Sequence, residues 1–596
     1  MTDLDELKKA RLSRPLFARL IALLRPLRGQ VAWLIILHLA MVGSIFLRPV
    51  FLREVIDRGL IPFNWWWVGL MTAGLAGVWL ARFILGGLAG WVASGIARQV
   101  VATVRQQAFT HLQALSLRFY DQAKAGRLIA RVDRDVDALE PAVVHAPPEL
   151  LGTVLRCAGA GIGLLCLDWR LFLWVVPLVP TLLLAMALFQ RYGVSVWGRV
   201  AELKSRVTGH LCETIAGVRI VQQTASEQAN QQRYDGLLHE LDRAAVQGAW
   251  SWGWFQPFTG VLFLAGTAVL IAEGGRAVAT SDLTLGQLAQ CVFYVFLFLG
   301  PLQELGDLFE KIATASASAV RVFALLDEPI EIRDAPNALR LTQATGAVSW
   351  EHVTFAYNPG GTTVLHDINL RVAPGERLAL VGPTGHGKTT LVQLLARFYQ
   401  TSERVGPAGI SGGRVTLDGH DVRDLAQTSL RRHVAVVLQD NLLFSGTVAD
   451  NLRLARPTAT DAELRDAVVA LGADDVLLHL PQGLATNVGP AGSALSAGQR
   501  QLVCLVRAWL ADPAVLVLDE ATSAIDLHTE ARIRRALRTL THGRTAIIIA
   551  HRLATVRDAD RIAVIENGRV AELGTHDELL AAGGRYAGLV ASYDAG

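Results

Sequence analysis

The chain has 596 residues, which is more than one hydrophobic core supports and predicts several domain-sized units. Hydrophobic residues make up 52% and charged residues only 18%, so the chain is not an ordinary soluble protein, and the apolar excess lies in its first half. A net charge of +3, without a dense Lys/Arg stripe, argues against nucleic acid as a partner.

The first region, residues 1–30, is rich in lysine and arginine. It has no short apolar core before a small-residue cleavage site, so it does not resemble a secretory signal. We expect a basic amphipathic elbow helix that lies along the cytoplasmic face of a membrane.

Residues 31–327 contain six apolar stretches, each near the ~20 residues that cross a bilayer. Two long links, after the second and the fourth stretch, concentrate the basic residues and are therefore cytoplasmic. Both links are compatible with helices, as is the stretch after the sixth. The region is predicted to be an all-α six-helix transmembrane domain with long cytoplasmic helical extensions. The predicted spans are Val31–Leu52, Trp66–Ala93, Leu150–Leu167, Leu171–Gln190, Pro257–Ala279 and Leu285–Leu305.

Two arginines fall within or near these spans. Arg82 lies inside the second span and Arg156 near one end of the third. A charge at the bilayer centre costs at least about 2.5 kcal/mol unless it faces water or reaches the interface. We expect Arg82 to face a cavity, whereas we expect the long side chain of Arg156 to reach the membrane–water interface.

A polar linker, residues 328–346, precedes a soluble region at 347–596. Apolar runs there alternate with helical stretches, which predicts a mostly parallel sheet with helices on its faces. The predicted strands include Arg377–Val381, Val434–Leu438, Ala514–Leu518, Thr545–Ala550 and Arg561–Ile565.

The segment Gly382 to Thr390 reads GPTGHGKTT and fits the phosphate-binding loop G-x-x-x-x-G-K-[ST]. It follows an apolar strand and precedes a helix-like run, Leu391 to Tyr399, as that loop requires. Its backbone N–H groups are expected to hold phosphates, Lys388 the outer phosphates and the Thr389 hydroxyl Mg²⁺. A Gly-rich turn that meets the pattern by chance is the alternative. The predicted nucleotide-binding residues of the loop are Gly382, Pro383, Thr384, Gly385, His386, Gly387, Lys388, Thr389 and Thr390.

Two acids, Asp519 and Glu520, end the apolar run that starts at Ala514. One carboxylate at such a strand end can hold Mg²⁺ and the next can polarise an attacking water. Together with Lys388 they predict nucleotide hydrolysis. A solvated acidic pair is the alternative interpretation.

Leu495 to Gln499 reads LSAGQ and lies upstream of Asp519. This stretch resembles the signature motif of ATP-binding cassette (ABC) proteins. The resemblance covers nearly the whole chain, because six spans followed by one cassette are typical of exporter-type half-transporters of the multidrug and lipid-flippase group. It implies an α/β P-loop ATPase domain after the transmembrane domain.

The resemblance also implies roles for residues outside the phosphate loop. Tyr357 matches the aromatic residue that stacks on adenine, and Asp526 matches the loop that communicates across the dimer. Glu520 and His551 match the catalytic base and the residue that contacts the γ-phosphate. Gln439, with Thr389 and Asp519, matches the Mg²⁺ ligands. The signature residues that complete the partner chain's site are Ser496, Gly498 and Gln499.

The expected activity is ATP-driven export of a small amphipathic, lipid or drug-like substrate, and ATP hydrolysis is expected to require Mg²⁺. Two chains, identical or different, are expected to form the transporter. We expect an integral protein of a bacterial cytoplasmic membrane, in contact with lipids and with its ATPase domain in the cytoplasm. The alternatives are a siderophore importer with the same fold, a gated channel, and a soluble-type cassette ATPase that acts on nucleic acid or ribosomes. Ala497 stands where the family has Gly, and Arg404 to Ser411 is an insertion.

Overall fold

The architecture is that of a computed structural model, which describes residues 14–123, 125–358, 360–400, 411–438, 441–519, 527–550 and 556–594. Contacts divide the chain into two compact units. The first unit comprises Met1–Gln113 and Ala125–Glu328, and the second comprises Ala114–Lys124 and Pro329–Gly596.

The described chain up to residue 328 is almost entirely helical. Single turns of 3₁₀- or π-helix join some of these helices, at Arg25–Leu27, Val55–Leu60 and Pro141–His145. The helices are α1 (Arg14–Leu24), α2 (Arg28–Glu54), α3 (Trp65–Ala114), α4 (Leu117–Gln122), α5 (Ala125–Val132), α6 (Arg134–Asp137), α7 (Ala146–Leu167), α8 (Trp169–Val175), α9 (Leu178–Ala216), α10 (Val218–Gln223), α11 (Glu227–Ala279) and α12 (Leu285–Leu326).

Five helical stretches of the described chain are long and apolar enough to cross a membrane. They are Ala18–Leu60, Trp65–Ala114, Ala125–Leu167, Trp169–Phe189 and Glu227–Ala279, and they contain the first five predicted spans except for Gln190 at the end of the fourth. The sixth predicted span lies on α12, where the apolar segment Leu285–Pro301 is shorter. A helical transmembrane domain is therefore confirmed, whereas the count of six spans stays a prediction.

Three of these helices are much longer than a bilayer requires. Helices α3 and α11 contain 50 and 53 residues, and α9 contains 39. At a rise of about 1.5 Å per residue, a 50-residue helix extends over roughly 75 Å, against ~30 Å of hydrocarbon. Each helix therefore continues well beyond the membrane, as the polar links predicted.

The first unit has a buried apolar core and an apolar outer surface. Leu37, Ile96 and Val100 are buried in one cluster, and Leu164 and Val295 in a second. Large apolar side chains also remain exposed along the spans, and this is the surface that lipid tails cover in a membrane protein. The most exposed of them on α3 are Trp66, Phe83 and Trp91.

The described residues of the second unit form two sheets. Its strands are β1 (Val348–Phe355), β2 (Leu365–Val372), β3 (Arg377–Val381), β4 (Ser411–Leu417), β5 (His420–Asp421), β6 (Val434–Val437), β7 (Val515–Asp519), β8 (Thr545–Ile549), β9 (Arg561–Glu566) and β10 (Arg569–Gly574). Its helices after residue 328 are α13 (Lys388–Leu395), α14 (Gln427–His433), α15 (Val448–Arg453), α16 (Asp461–Ala470), α17 (Asp474–Leu477), α18 (Ala497–Ala511), α19 (Leu527–Thr541), α20 (His576–Ala581) and α21 (Arg585–Asp594).

The larger sheet has the order β10-β9-β3-β8-β7-β6, in which only β10 is antiparallel to its neighbour. Both of its faces are covered, so its strands are continuous apolar runs. In β3, for example, Leu378 and Leu380 pack in one core and Ala379 and Val381 in the other. The smaller sheet, of order β2-β1-β4-β5, is antiparallel and packs in the same core as Leu378.

Candidate functional site

The predicted phosphate loop connects β3 to α13 at the carboxyl edge of the larger sheet. Gly382 has φ +140°, and a Cβ there would lie 2.1 Å from the carbonyl oxygen of Ile565. Gly387 has φ +101°, and a Cβ there would lie 2.6 Å from Cδ2 of Leu365. Both conformations are strained for any residue with a side chain, so the tight loop requires glycine at these positions.

Lys388 closes the loop from inside. Its Nζ donates to the carbonyl oxygens of Gly382, at 2.7 Å, and Pro383, at 2.8 Å, and the residue is buried. Burial lowers the pKa of Lys388, and the nearby carboxylate of Asp519 opposes that shift. The lysine is therefore a cation held under the loop, within the electrostatic reach of the acid at the end of β7.

The first turn of α13 carries the two threonines of the loop. Gly387 is the N-cap and has no side chain, so within the described residues the first N–H groups of the helix have no side-chain cap. Thr389 is exposed, whereas Thr390 is buried and its hydroxyl lies 2.8 Å from the Tyr357 hydroxyl. Thr389 is thus accessible to solvent, whereas the hydroxyl of Thr390 contacts a side chain of the protein.

Tyr357, the predicted adenine-stacking residue, is half-buried beside α13. Its hydroxyl donates to Oε1 of Gln393 at 2.9 Å, and burial raises its pKa. Its ring meets Tyr399 edge-on, with centroids 4.9 Å apart. These contacts fix Tyr357 to the helix that follows the phosphate loop.

The remaining loop residues face outward. Pro383, Thr384 and Gly385 are exposed. His386 accepts the backbone N–H of Asn567 at its Nδ1, at 3.1 Å, which ties the loop to the β9–β10 turn. The side chain of His386 therefore anchors the loop, and its backbone stays part of the cradle.

Asp519 lies at the end of β7, at the same edge of the sheet as the loop. Strand β8 pairs in parallel with both β3 and β7, and Asp519 is level with Ile549 of β8. Carboxyl ends of parallel strands meet at one edge, which is where such sheets bind ligands. The topology brings the predicted metal-binding acid towards Lys388, although the two residues are far apart in sequence.

The signature segment begins helix α18. Ser496 is its exposed N-cap, and its hydroxyl accepts the N–H of Gln499 at 3.2 Å while Oε1 of Gln499 accepts the N–H of Ser496 at 2.8 Å. This is a capping box, which Ser-x-x-Gln in the sequence already indicates. Gly498 is buried, and Ala497 is the first residue of the helix. Ser496 and Gln499 thus hold the helix end in shape, whatever else they bind.

Several predicted site residues lie outside the described residues: Gln439, Glu520, Asp526 and His551. The same is true of most of the insertion, residues 404–410, and its last residue, Ser411, begins β4. Their assigned roles stay predictions from the sequence.

The sequence analysis missed a group of contacts around the short helix α4, which belongs to the second unit. The Tyr399 hydroxyl donates to the carboxylate of Asp121, and the guanidinium of Arg118 lies 3.1 Å from Glu331. Burial and this hydrogen bond raise the pKa of Tyr399. Helix α4 is thereby connected, through the Tyr399–Tyr357 ring contact, to the phosphate loop of the same unit. Residue spacing carries no signal for such pairs.

The loop geometry fits a nucleoside triphosphate. Gly382 and Gly387 leave room that a Cβ would fill, and the ammonium of the buried Lys388 lies beneath the loop. In the described part of the chain, the helix start has no side-chain cap. The hydroxyl of the exposed residue Thr389 and the carboxylate of Asp519 are oxygen ligands of the kind that Mg²⁺ takes.

Comparison with protein families agrees with these two units. Residues 32–302 match a family model described as ABC transporter transmembrane region, and residues 365–523 match one described as ABC transporter. An uncharacterized ABC transporter ATP-binding protein of Bacillus subtilis is 39% identical over 495 residues, 83% of this chain and 80% of that protein. A fatty acid ABC transporter ATP-binding/permease protein of Mycobacterium bovis is 35% identical over 511 residues, 85% of this chain and 79% of that protein.

A solved structure shares the whole architecture. The ATP-bound structure of a bacterial Atm1-family ABC exporter superposes with a TM-score of 0.80, at 27% identity, over 95% of this chain and 98% of that one. The likeness therefore spans both the helical unit and the unit that holds the phosphate loop.

Proposed function

The chain belongs to the ABC transporter family, and from that premise we propose that it expels amphipathic molecules, such as lipids or drug-like compounds, from the cytoplasm. It is an integral membrane exporter half-transporter that couples ATP hydrolysis to transport. The observation that carries the proposal is the phosphate loop closed over Lys388, in a chain whose described residues include five long apolar helices. A relative named for fatty acid transport supports an amphipathic substrate.

In the proposed site, Gly382 to Thr390 hold the phosphates and Tyr357 stacks on adenine. Mg²⁺, held by Thr389, Asp519 and Gln439, would neutralise charge on the transferring phosphoryl group. Glu520 accepts the proton of the attacking water, and His551 contacts the γ-phosphate. Ser496, Gly498 and Gln499 complete the site of the second chain, with Asp526 beside them. Two chains, identical or different, make the transporter.

The proposal predicts the direction of transport. In proteoliposomes, ATP added outside reaches only those transporters whose ATPase domains face outward, so an exported fluorescent amphiphile should accumulate in the lumen. The Lys388→Ala variant, in which the ammonium under the loop is removed, provides the matched inactive control. ATP-driven loss of the probe from the lumen would indicate an importer. A flux of the probe that is equal with and without ATP would indicate a channel. Recovery of the wild-type protein in the soluble fraction would indicate a soluble-type ATPase.

A further prediction concerns Tyr357. Stacking between a base and an aromatic ring is worth about 1–3 kcal/mol, so Tyr357→Ala should weaken ATP binding by about tenfold or more. Tyr357→Phe keeps the ring and loses only the hydroxyl contacts with Thr390 and Gln393, so its effect should be several-fold at most. Titration with a fluorescent ATP analogue measures both. Equal losses in the two variants would show that the hydroxyl contacts, and not stacking, determine affinity.

A further inference from the structure

The phosphate loop contains one histidine, His386, and histidine is the side chain whose charge usually changes between about pH 5 and 8. We propose that His386 makes nucleotide binding by this chain sensitive to acid, because only its neutral imidazole holds the loop in the shape that binds phosphates. His386 is thus a positioning residue, which acts through the backbone of the loop. This inference rests on the proposed function, in which Gly382 to Thr390 hold the phosphates of ATP.

The hydrogen bond of His386 defines the protonation state of its ring. Nδ1 accepts the backbone N–H of Asn567 at 3.1 Å, and a ring nitrogen that accepts a hydrogen bond carries no proton. The ring in this structure is therefore the neutral tautomer with its proton on Nε2. An imidazolium has an N–H at both nitrogens, so it would point one N–H at the N–H of Asn567 and lose the contact.

The β9–β10 turn, which donates this hydrogen bond, is itself held tightly in the second unit. Asn567 and Gly568 have φ +47° and +71°, as a two-residue hairpin turn requires. The carbonyl oxygen of Gly568 accepts the N–H of His366 at 2.8 Å, and a Cβ at Gly568 would lie 2.1 Å from the carbonyl oxygen of Val364. The turn therefore packs closely against the start of β2 and provides a firm attachment for the phosphate loop.

The section of the loop around His386 has few other contacts. Pro383, Thr384 and Gly385 are exposed, and in the described part of the chain the bond to Asn567 is the one hydrogen bond that a side chain of residues 383–387 makes. Without this bond the section would sample several shapes and would have to be ordered when a nucleotide binds. Ordering a segment on binding lowers affinity, so the bond favours phosphate binding by fixing the loop in advance.

Protonation of His386 has two opposite effects on nucleotide binding. It releases the loop from the turn, which weakens binding, and it adds a positive charge to the loop, which attracts phosphates. We expect the release to be the larger effect, because the exposed neighbours of His386 place the added charge close to water, which screens it. The ammonium of Lys388 already lies beneath the loop and supplies the attraction at every pH of interest.

Several charged and titratable groups lie on the elements packed around His386, which are the β9–β10 hairpin, the start of β2 and the start of α13. They are Glu566, Arg569, His366, Asp367 and Lys388. Glu566 pairs with Arg585 at 3.0 Å, and Asp367 pairs with His352 at 2.8 Å and is also acted on by Arg569. Among the five, His366 is the other histidine, and it therefore provides a control for the pH dependence.

The test measures the affinity of the full-length transporter in nanodiscs for a fluorescent ATP analogue from about pH 8 to about pH 6. In His386→Asn, the amide oxygen can take the place of Nδ1 as acceptor and takes up no proton in this range. His386→Leu has the same branching at Cγ and no acceptor. On acidification, the wild type should lose roughly threefold to tenfold more affinity than His386→Asn, as expected for one lost hydrogen bond. At the alkaline end, His386→Leu should bind more weakly than the wild type, and His386→Asn should recover most of that loss.

Steady-state hydrolysis by the same variants separates positioning from a general loss of structure. A loosened loop raises KM for ATP with little effect on kcat, whereas partial unfolding lowers kcat. His366→Asn is the matched control, because it is the same substitution in a histidine whose backbone contacts the same turn, and it should keep the pH dependence of the wild type. His386→Lys carries a charge throughout this range and has no acceptor, so it should bind ATP more weakly than His386→Asn.

An equal loss of affinity on acidification in the wild type and in His386→Asn would overturn the inference, because the ionisation of ATP and of every other group is common to both. Affinity that rises on acidification in the wild type relative to His386→Asn, or tighter binding by His386→Lys than by His386→Asn, would also overturn it, since charge attraction would then exceed the effect of the hydrogen bond. A wild type that binds no ATP at any pH tested would refute the nucleotide site of the proposed function together with this inference.

Discussion

Replacing Glu520 by Gln is expected to lower steady-state ATP hydrolysis by about 10² or more while ATP binding is retained. Glu520 directly follows Asp519, the residue that ends β7 at the sheet edge of the phosphate loop. A glutamine has nearly the same shape and can still accept a hydrogen bond, but it cannot accept the proton of the attacking water. The change therefore removes the chemical step and leaves the phosphate contacts in place.

The measurement compares hydrolysis and nucleotide binding in the same preparation. Glu520→Gln should bind a fluorescent ATP analogue like wild type and accumulate ATP-closed dimers. Lys388→Ala is the contrasting variant, because Lys388 lies beneath the loop and its loss should weaken binding itself. Hydrolysis at the wild-type rate in Glu520→Gln would assign the proton transfer to another group.

The parallel sheet and the phosphate loop could be predicted from the sequence because both depend on local order. The run Arg377–Val381 is β3 as predicted, and Val434–Leu438 differs from β6 by one residue. Helix α13, however, begins at Lys388 and not at Leu391. Polar residues of the first turn carry no apolar periodicity, so hydrophobic pattern alone places the start of this helix too late.

The contacts that tie Tyr357 and Tyr399 into the site could not be predicted in this way. Tyr399 and Asp121 are 278 residues apart in the chain, and their pairing depends on how α4 packs in the second unit. The same holds for Arg48, whose contact with Trp79 joins two helices. Such side-chain pairs follow from tertiary packing, which a single sequence does not encode in any spacing.

The capping box of α18, in contrast, can be predicted from the sequence, because Ser496 and Gln499 have the required spacing. The capping box does not determine whether Ser496 and Gln499 also bind nucleotide. In the described chain, the hydrogen bond of the Ser496 hydroxyl is to the N–H of Gln499, within its own helix. Ser496 is exposed at a helix start, where the backbone dipole favours an anion. The site that we propose for Ser496 is therefore the phosphate group held by the second chain, and this can be tested directly.

Mixed dimers distinguish a site shared between two chains from a site completed within one. Suppose that one chain carries Lys388→Ala and the other Ser496→Arg, and that differently tagged copies allow mixed dimers to be isolated. In shared sites, one site combines both defects and the other combines two intact motifs, so about half of the wild-type ATPase sites survive. A dimer of wild type with the Lys388→Ala/Ser496→Arg double variant should then have no intact site and only background hydrolysis.

The two mixtures exchange outcomes if each chain completes its own site. The first mixture would then have no intact site, and the second would keep one.

Ser496→Arg also removes an N-cap, which costs about 0.5–2 kcal/mol of stability, so thermal unfolding of each dimer must accompany the assay. Because both mixtures contain the same two substitutions, a general loss of stability lowers both activities, whereas only the arrangement of the sites reverses their order. Activity confined to the wild-type plus double-variant dimer would overturn the shared site, and with it the roles proposed for Ser496, Gly498 and Gln499. If the natural partner is a different chain, the same design applies with Ser496→Arg moved to the matching serine of that partner.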